Sequence, residues 1–227
     1  MPIYGGAEAA WRKKIDRSVY FWIQARIVMA HQFLNTFLTE PVLGQQEASY
    51  GRSQRVPPTT AADELGEGEA AFIRERDSFY IASVNPDGWP YLQHRGGPAG
   101  FLKMLDAHTL VFADFSGNRQ LLTAGHVTAN DRVALFLMDY PHRERLKIIG
   151  HAEVVAAQAD PALAAALTPA GASARTVERM FKIRVTGFDW NCPKYITPRY
   201  TAEQVTEAVA PLHRRIAELE AELKARG

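Results

Sequence analysis

A chain of 227 residues, 47% hydrophobic and 22% charged, carries enough apolar material for one good-sized core, which excludes wholesale disorder. Lys and Arg total 26 against 25 Asp and Glu, so a formal charge of +1 gives no reason to expect nucleic acid or an anionic membrane as partner. The single cysteine, Cys192, excludes an internal disulfide framework and a cysteine-based zinc cluster, and it fits a reducing, cytoplasmic home.

Residues 19–30 form the most apolar early stretch, with Arg12, Lys13, Lys14 and Arg17 upstream. Gln24 and Arg26 interrupt it, and it is far shorter than the roughly 20 residues that span a bilayer. It reads as an amphipathic helix lying on the domain or on a partner, and Met29 is a second candidate initiator. Residues 33–46, divided by Pro41, predict two short helical pieces, so residues 1–50 form a helical N-terminal extension. Pro57-Pro58 then marks a loop that leads to a short helix over 67–76.

The middle of the chain reads as strands. Residues 79–84 are a buried-type run ended by the turn Asn85-Pro86-Asp87-Gly88, and residues 89–95 return as a hairpin partner. Strands follow over 101–105, 109–114, 132–139 and 144–155. A helix over 118–128, capped by Ser116-Gly117-Asn118, crosses between the fourth and fifth. Hairpin succession of this kind predicts an antiparallel barrel with flanking helices, occupying residues 51–200. Helices are expected over 156–167 and 173–181, and a further strand over 182–188. At the C-terminus Val205, Val209, Leu212, Ile216, Leu219 and Leu223 recur at alternating intervals of four and three. Such a seam over 201–227 predicts a heptad helix, either packed on its own domain or forming a short coiled coil or a helix that bridges subunits.

Seven histidines show no metal-ligand spacing, and no P-loop, nucleophile elbow or dinucleotide-binding glycine motif is present. Two segments carry the chemistry. His94-Arg95-Gly96-Gly97-Pro98 ends a strand in Arg and two glycines, which lets backbone approach a flat or anionic ligand. Asp114-Phe115-Ser116-Gly117-Asn118-Arg119-Gln120 places a turn at a helix start, where amides and a bidentate Arg119 suit a phosphate. Each segment alone also reads as an ordinary turn or capped helix. Together on neighbouring strands they describe a site for a planar ring with a phosphate tail.

In order and content, Asp77 to Pro90, His94 to Leu102, Leu110 to Gln120, Asn130 to Leu137 and Leu146 to Val154 resemble the pyridoxamine 5'-phosphate oxidase-like family of FMN-binding split β-barrels. Asp189 to Tyr200 resembles the tail of a bacterial flavin-nucleotide-binding subgroup. The resemblance implies a homodimer with FMN at the subunit interface and a small-molecule substrate. Arg95 would lie near flavin and phosphate, and Gly96, Gly97 and Pro98 along the ring. Asp114, Asn118, Arg119 and Gln120 would cradle the ribityl phosphate, and Lys147, Trp190 and Arg199 would reach the ring. The flavin supplies the redox chemistry in such a site, so an oxidoreductase is expected, with His94 as the one candidate proton donor. Non-catalytic flavin binding, or a haem or F420 ligand, are the competing expectations. Asn118-Arg119-Gln120 carries one positive charge fewer than the family's usual Ser-Arg-Lys type of cluster, which argues against pyridoxamine phosphate oxidation itself.

Overall fold

The structure is a computed structural model that describes residues 31–115, 119–168, 177–190 and 194–226. The expected helix over 19–30 and the Ser116-Gly117-Asn118 cap lie outside the described residues. The chain divides into two units, one holding the described parts of 1–138 and 145–192, the other residues 139–144 and the described part of 193–227.

The first unit is built on one seven-stranded antiparallel sheet of order β2-β1-β5-β6-β7-β4-β3. Its strands are β1 (Ser78–Val84), β2 (Pro90–Gly96), β3 (Lys103–Asp106), β4 (Thr109–Phe115), β5 (Arg132–Asp139), β6 (Glu144–Ala156) and β7 (Val177–Trp190). Around them lie α1 (His31–Phe37), α2 (Glu40–Tyr50), α3 (Glu67–Arg74), α4 (Leu122–Ala129) and α5 (Pro161–Leu167). The β1–β2 hairpin closes as its sequence dictates. Gly88 donates to the Asn85 carbonyl at 3.0 Å with φ 87°, and the Asn85 side chain accepts from Trp89 N–H at 2.7 Å.

Period-two burial along β1 and β5 sends Phe79, Ile81, Val133, Leu135 and Leu137 to one face, where Leu146, Ile148, Ile183 and Val185 join them. This sheet rolls up without closing. Phe79 on β1 and Phe112 on β4 are four places apart in strand order, yet their rings meet edge-on at 5.2 Å, and Phe112 stacks on Phe181 at 5.0 Å. The split barrel expected from the sequence is thus the observed fold. Strand β4 is buried on both faces, because Val111 and Ala113 pack outward with Met180, Ala164 and Leu167 beneath α5.

Asp63 ties the N-terminal helix to this barrel. Its buried carboxylate accepts backbone N–H groups of Gln32 (2.9 Å), Phe33 (3.1 Å) and Phe188 (3.2 Å), satisfying the first turn of α1. Gly187 permits the approach, since a Cβ there would stand 2.6 Å from Phe33 N.

Three expected elements differ. Residues 177–181 are strand, not helix: Met180 and Phe181 pair with Ala113 and Phe112 on one side and with Val155 and Val154 on the other, so the backbone is consumed by two ladders. The helix expected over 156–167 begins only at Pro161. β6 runs through Ala156 and a 3₁₀ turn follows, because proline suits a first helical turn, where Asp160 caps Leu163 N–H at 3.0 Å. The helix expected from 118 begins at Leu122, because Arg119 and Leu121 both take left-handed φ values, 60° and 54°.

The second unit contains α6 (Ala202–Arg226), which runs unbroken through Pro211 and starts on a reciprocal cap between Thr201 and Gln204. Among the described residues no helix is long and apolar enough to cross a membrane.

Candidate functional site

Alternation along two strands builds the site. On β2, Tyr91, Gln93 and Arg95 are half-buried while Leu92 and His94 face outward. On β4, Asp114 continues the inward row of Leu110 and Phe112. Because the sheet rolls, Arg95 and Asp114 meet: Arg95 Nη1 donates to Asp114 Oδ1 at 2.6 Å. Arg179, the register partner of Asp114 on β7, donates to its other oxygen at 2.9 Å and to Glu178 at 2.7 Å. One carboxylate, 9% exposed, therefore clamps two guanidinium groups whose side chains are 17% and 21% exposed. The Arg95 guanidinium lies 5.3 Å above the Phe181 ring and 5.6 Å above Phe112, which fixes its plane. Its Nε is buried and has no hydrogen-bond partner among the described residues.

These groups line one side of a cleft of about 370 Å³, closed on the other by Phe115 and by Arg119, Gln120, Leu121 and Leu122. Arg119 is exposed and makes no hydrogen bond or ion pair among the described residues. Two left-handed non-glycine residues within three positions store backbone strain in this segment. The lining carries three arginines against two carboxylates, so its balance favours an anion.

Of the residues singled out in the sequence, Arg95, Asp114, Arg119 and Gln120 come together here. Asn118 lies outside the described residues. His94 points to the opposite face of β2, edge-on to Tyr80 at 5.5 Å. Gly96 ends β2, Gly97 donates to the Asp77 carbonyl at 2.8 Å, and Pro98 opens the turn that Phe101 N–H closes at 3.0 Å. Gly97 is required by packing: a Cβ would stand 2.7 Å from Cγ of Phe101, whose ring stacks on Phe79 at 5.4 Å. Lys147 pairs with Asp189 at 2.6 Å and sits 4.8 Å above Phe33, in an apolar groove with Tyr80, Leu92 and Phe136. Trp190 is packed edge-on against Phe72 at 4.7 Å and donates to Glu69 at 2.7 Å. Arg199 belongs to the second unit, with its guanidinium 4.8 Å above the Tyr140 ring. Arg179 escaped the sequence reading because its segment read as helix. The alternation of Phe181, Ile183 and Val185 with Lys182 and Arg184, extended backward, was the signal that could have found it.

Residues 65–188, more than half of the chain, match the family model described as pyridoxamine 5'-phosphate oxidase. No curated relative matches. Solved structures with a similar fold include the HupZ protein of Group A Streptococcus (13% identity, TM-score 0.45, covering 60% of this chain and 99% of that one). An F420 reductase (22%, 0.40, 55% and 98%) and general stress protein 26 of Bacillus anthracis (14%, 0.42, 53% and 88%) are further distant likenesses. The matched segment runs from the loop before α3 into β7 and encloses both strands that carry Arg95 and Asp114: the chain belongs to the pyridoxamine 5'-phosphate oxidase family.

Proposed function

We propose that the chain binds FMN in the cleft between β2, β4 and the 119–122 segment, and that it is an FMN-dependent oxidoreductase acting on a small substrate. The observation that carries this reading is one cleft within the family segment that brings Arg95, Arg179 and Arg119 together, the last without a hydrogen bond or ion pair among the described residues. A phosphate monoester suits the exposed Arg119 guanidinium, and a cleft of about 370 Å³ falls in the ordinary range for small-molecule sites, ~300–1,000 Å³. Bound there, the flavin would supply hydride chemistry. The chain's part is to bind and orient: Arg119 and Gln120 hold the phosphate, with Asn118 beside them in sequence. Asp114 fixes Arg95 and Arg179, so their positive charge is in place before the ligand arrives. Two sites at a homodimer interface, in the cytoplasm, complete the proposal.

Arg119→Ala tests it. Arg119 is exposed and has no hydrogen bond or ion pair among the described residues, so its loss is expected to leave the fold intact. FMN affinity, read by quenching of flavin fluorescence, is expected to fall about 10- to 100-fold, the worth of one charge-assisted contact of ~1.5–3 kcal/mol. Unchanged affinity would remove the phosphate role.

A second reading, a flavin carrier without turnover, is favoured by one observation. Among the described residues, the titratable groups lining the cleft apart from the arginines are Asp114, tied to two of them, Glu178, tied to Arg179, and Tyr91. His94 faces away. Oxidation of NADH or NADPH by the flavin-loaded protein decides between the two.

A further inference from the structure

Helix α6 carries a complete recognition pattern that its own unit leaves unused. It has 25 residues, about 37 Å of helix, and none is buried. Val205, Leu212, Ile216, Leu219 and Leu223 are 41–71% exposed, and Val209 is half-buried. The four-three spacing assigns Val209, Ile216 and Leu223 to position a of a heptad and Val205, Leu212 and Leu219 to position d. Outward positions hold Glu207, Arg214, Glu218 and Lys224. Pro211 falls at an outward c position, so the helix bond it removes lies away from the seam.

We infer that α6 pairs in parallel, as a two-stranded coiled coil, with α6 of a second copy of this chain. Two independent features choose this occupant. The a positions at the centre of the seam are β-branched, Val209 and Ile216, and the d positions between and after them are Leu212 and Leu219. That combination favours two parallel strands over higher oligomers. The flanking charges agree. Arg215 stands at g and Glu220 at the e position of the next heptad, the pair that faces across a parallel dimer. Each helix thus presents Arg215 to Glu220 of the partner subunit. Within one helix Arg215 pairs with the outward Glu218 at 2.9 Å and lies 4.0 Å from Glu222, contacts that the cross-pair with Glu220 replaces. In an antiparallel pairing Arg215 would instead face Glu222. This inference stands apart from the flavin reading and survives its failure.

The test uses the full chain with Cys192→Ser, so that a cysteine introduced by Leu219→Cys is the sole thiol. Mild oxidation at micromolar protein is expected to give a disulfide-linked dimer, since equivalent d positions adjoin in the parallel arrangement. Adding Arg215→Glu turns both cross-pairs repulsive and is expected to slow cross-linking about tenfold. Adding Glu220→Arg as well restores the rate. All the substituted helix positions are exposed, so folding is not at stake, and circular dichroism verifies this. No cross-link, a rate indifferent to charge, or rescue by Glu222→Arg in place of Glu220→Arg would each overturn the proposal.

Discussion

Asp114→Asn removes one negative charge and leaves two guanidinium groups facing each other on the inner wall of the barrel. In the native chain the carboxylate accepts from Arg95 at 2.6 Å and from Arg179 at 2.9 Å, and all three side chains are four-fifths buried or nearly so. Taking one partner from a buried ion pair costs about 3–5 kcal/mol, chiefly because the remaining charge stays desolvated. Two circumstances pull the figure to the lower end. Asparagine still offers one oxygen, and Glu178 continues to neutralise Arg179 at 2.7 Å. A loss of about 3 kcal/mol follows. For a chain of this length each kcal/mol moves the melting temperature by roughly 2–4 °C, so flavin-free Asp114→Asn should melt about 6–12 °C below the parent. Urea unfolding followed by Trp fluorescence gives the same quantity independently, with an unchanged slope. If Arg95 is held by Asp114, combining Asp114→Asn with Arg95→Met should cost less than the sum of the two single changes. A melting shift under 2 °C, or strict additivity, would refute the clamp.

Gly97→Ala should cost about 1–3 kcal/mol in a thermal melt, because its Cβ would lie 2.7 Å from Phe101 Cγ. The neighbouring Gly96→Ala meets the movable His94 ring at 3.2 Å and the Asp77 carbonyl oxygen at an ordinary 3.6 Å, and should be close to neutral. Asp63→Ala leaves the buried amides of Phe33 and Phe188 and the part-buried amide of Gln32 without an acceptor. About 3 kcal/mol or more should be lost, with hydrogen exchange at Gln32 and Phe33 accelerating before that of β5. Asp106 is held below the ordinary aspartate value by the His108 backbone N–H at 2.8 Å and then by the Thr109 hydroxyl. Its support of the β3–β4 turn is therefore complete above the ordinary aspartate range and is lost as pH falls through the lower folded value. Carboxyl NMR should show Asp106 titrating below an exposed reference aspartate, with the His108 amide following the same midpoint.

Strand content was legible because residues 79–84 form an apolar run and the Asn85-Pro86-Asp87-Gly88 turn names its own geometry, while the period-two burial of β1, β2 and β5 is a property of the folded sheet. Arg95 and Asp114 were legible as chemically unusual residues at strand ends. Their contact was not, because it depends on how a seven-stranded sheet rolls up, and the two residues are 19 positions apart in sequence. The Arg179–Asp114 bond spans 65 positions and was hidden further by a segment that local propensity assigns to helix and two flanking strands convert to sheet. Gly97 was singled out as a place where a ligand could approach the backbone, and the structure adds a packing role, since the space a Cβ would fill holds Phe101. The start of α4 was misplaced because left-handed Arg119 and Leu121 follow from tertiary context that no residue preference announces.

The central claim, that the Arg95–Arg119 cleft holds FMN, is tested most directly by an absorption spectrum of the purified protein, with the chromophore released by heat and identified. The two-banded flavin spectrum with FMN released, or its appearance on reconstitution with FMN, is the predicted result. A haem or deazaflavin spectrum, or a protein that stays colourless after reconstitution, would contradict it.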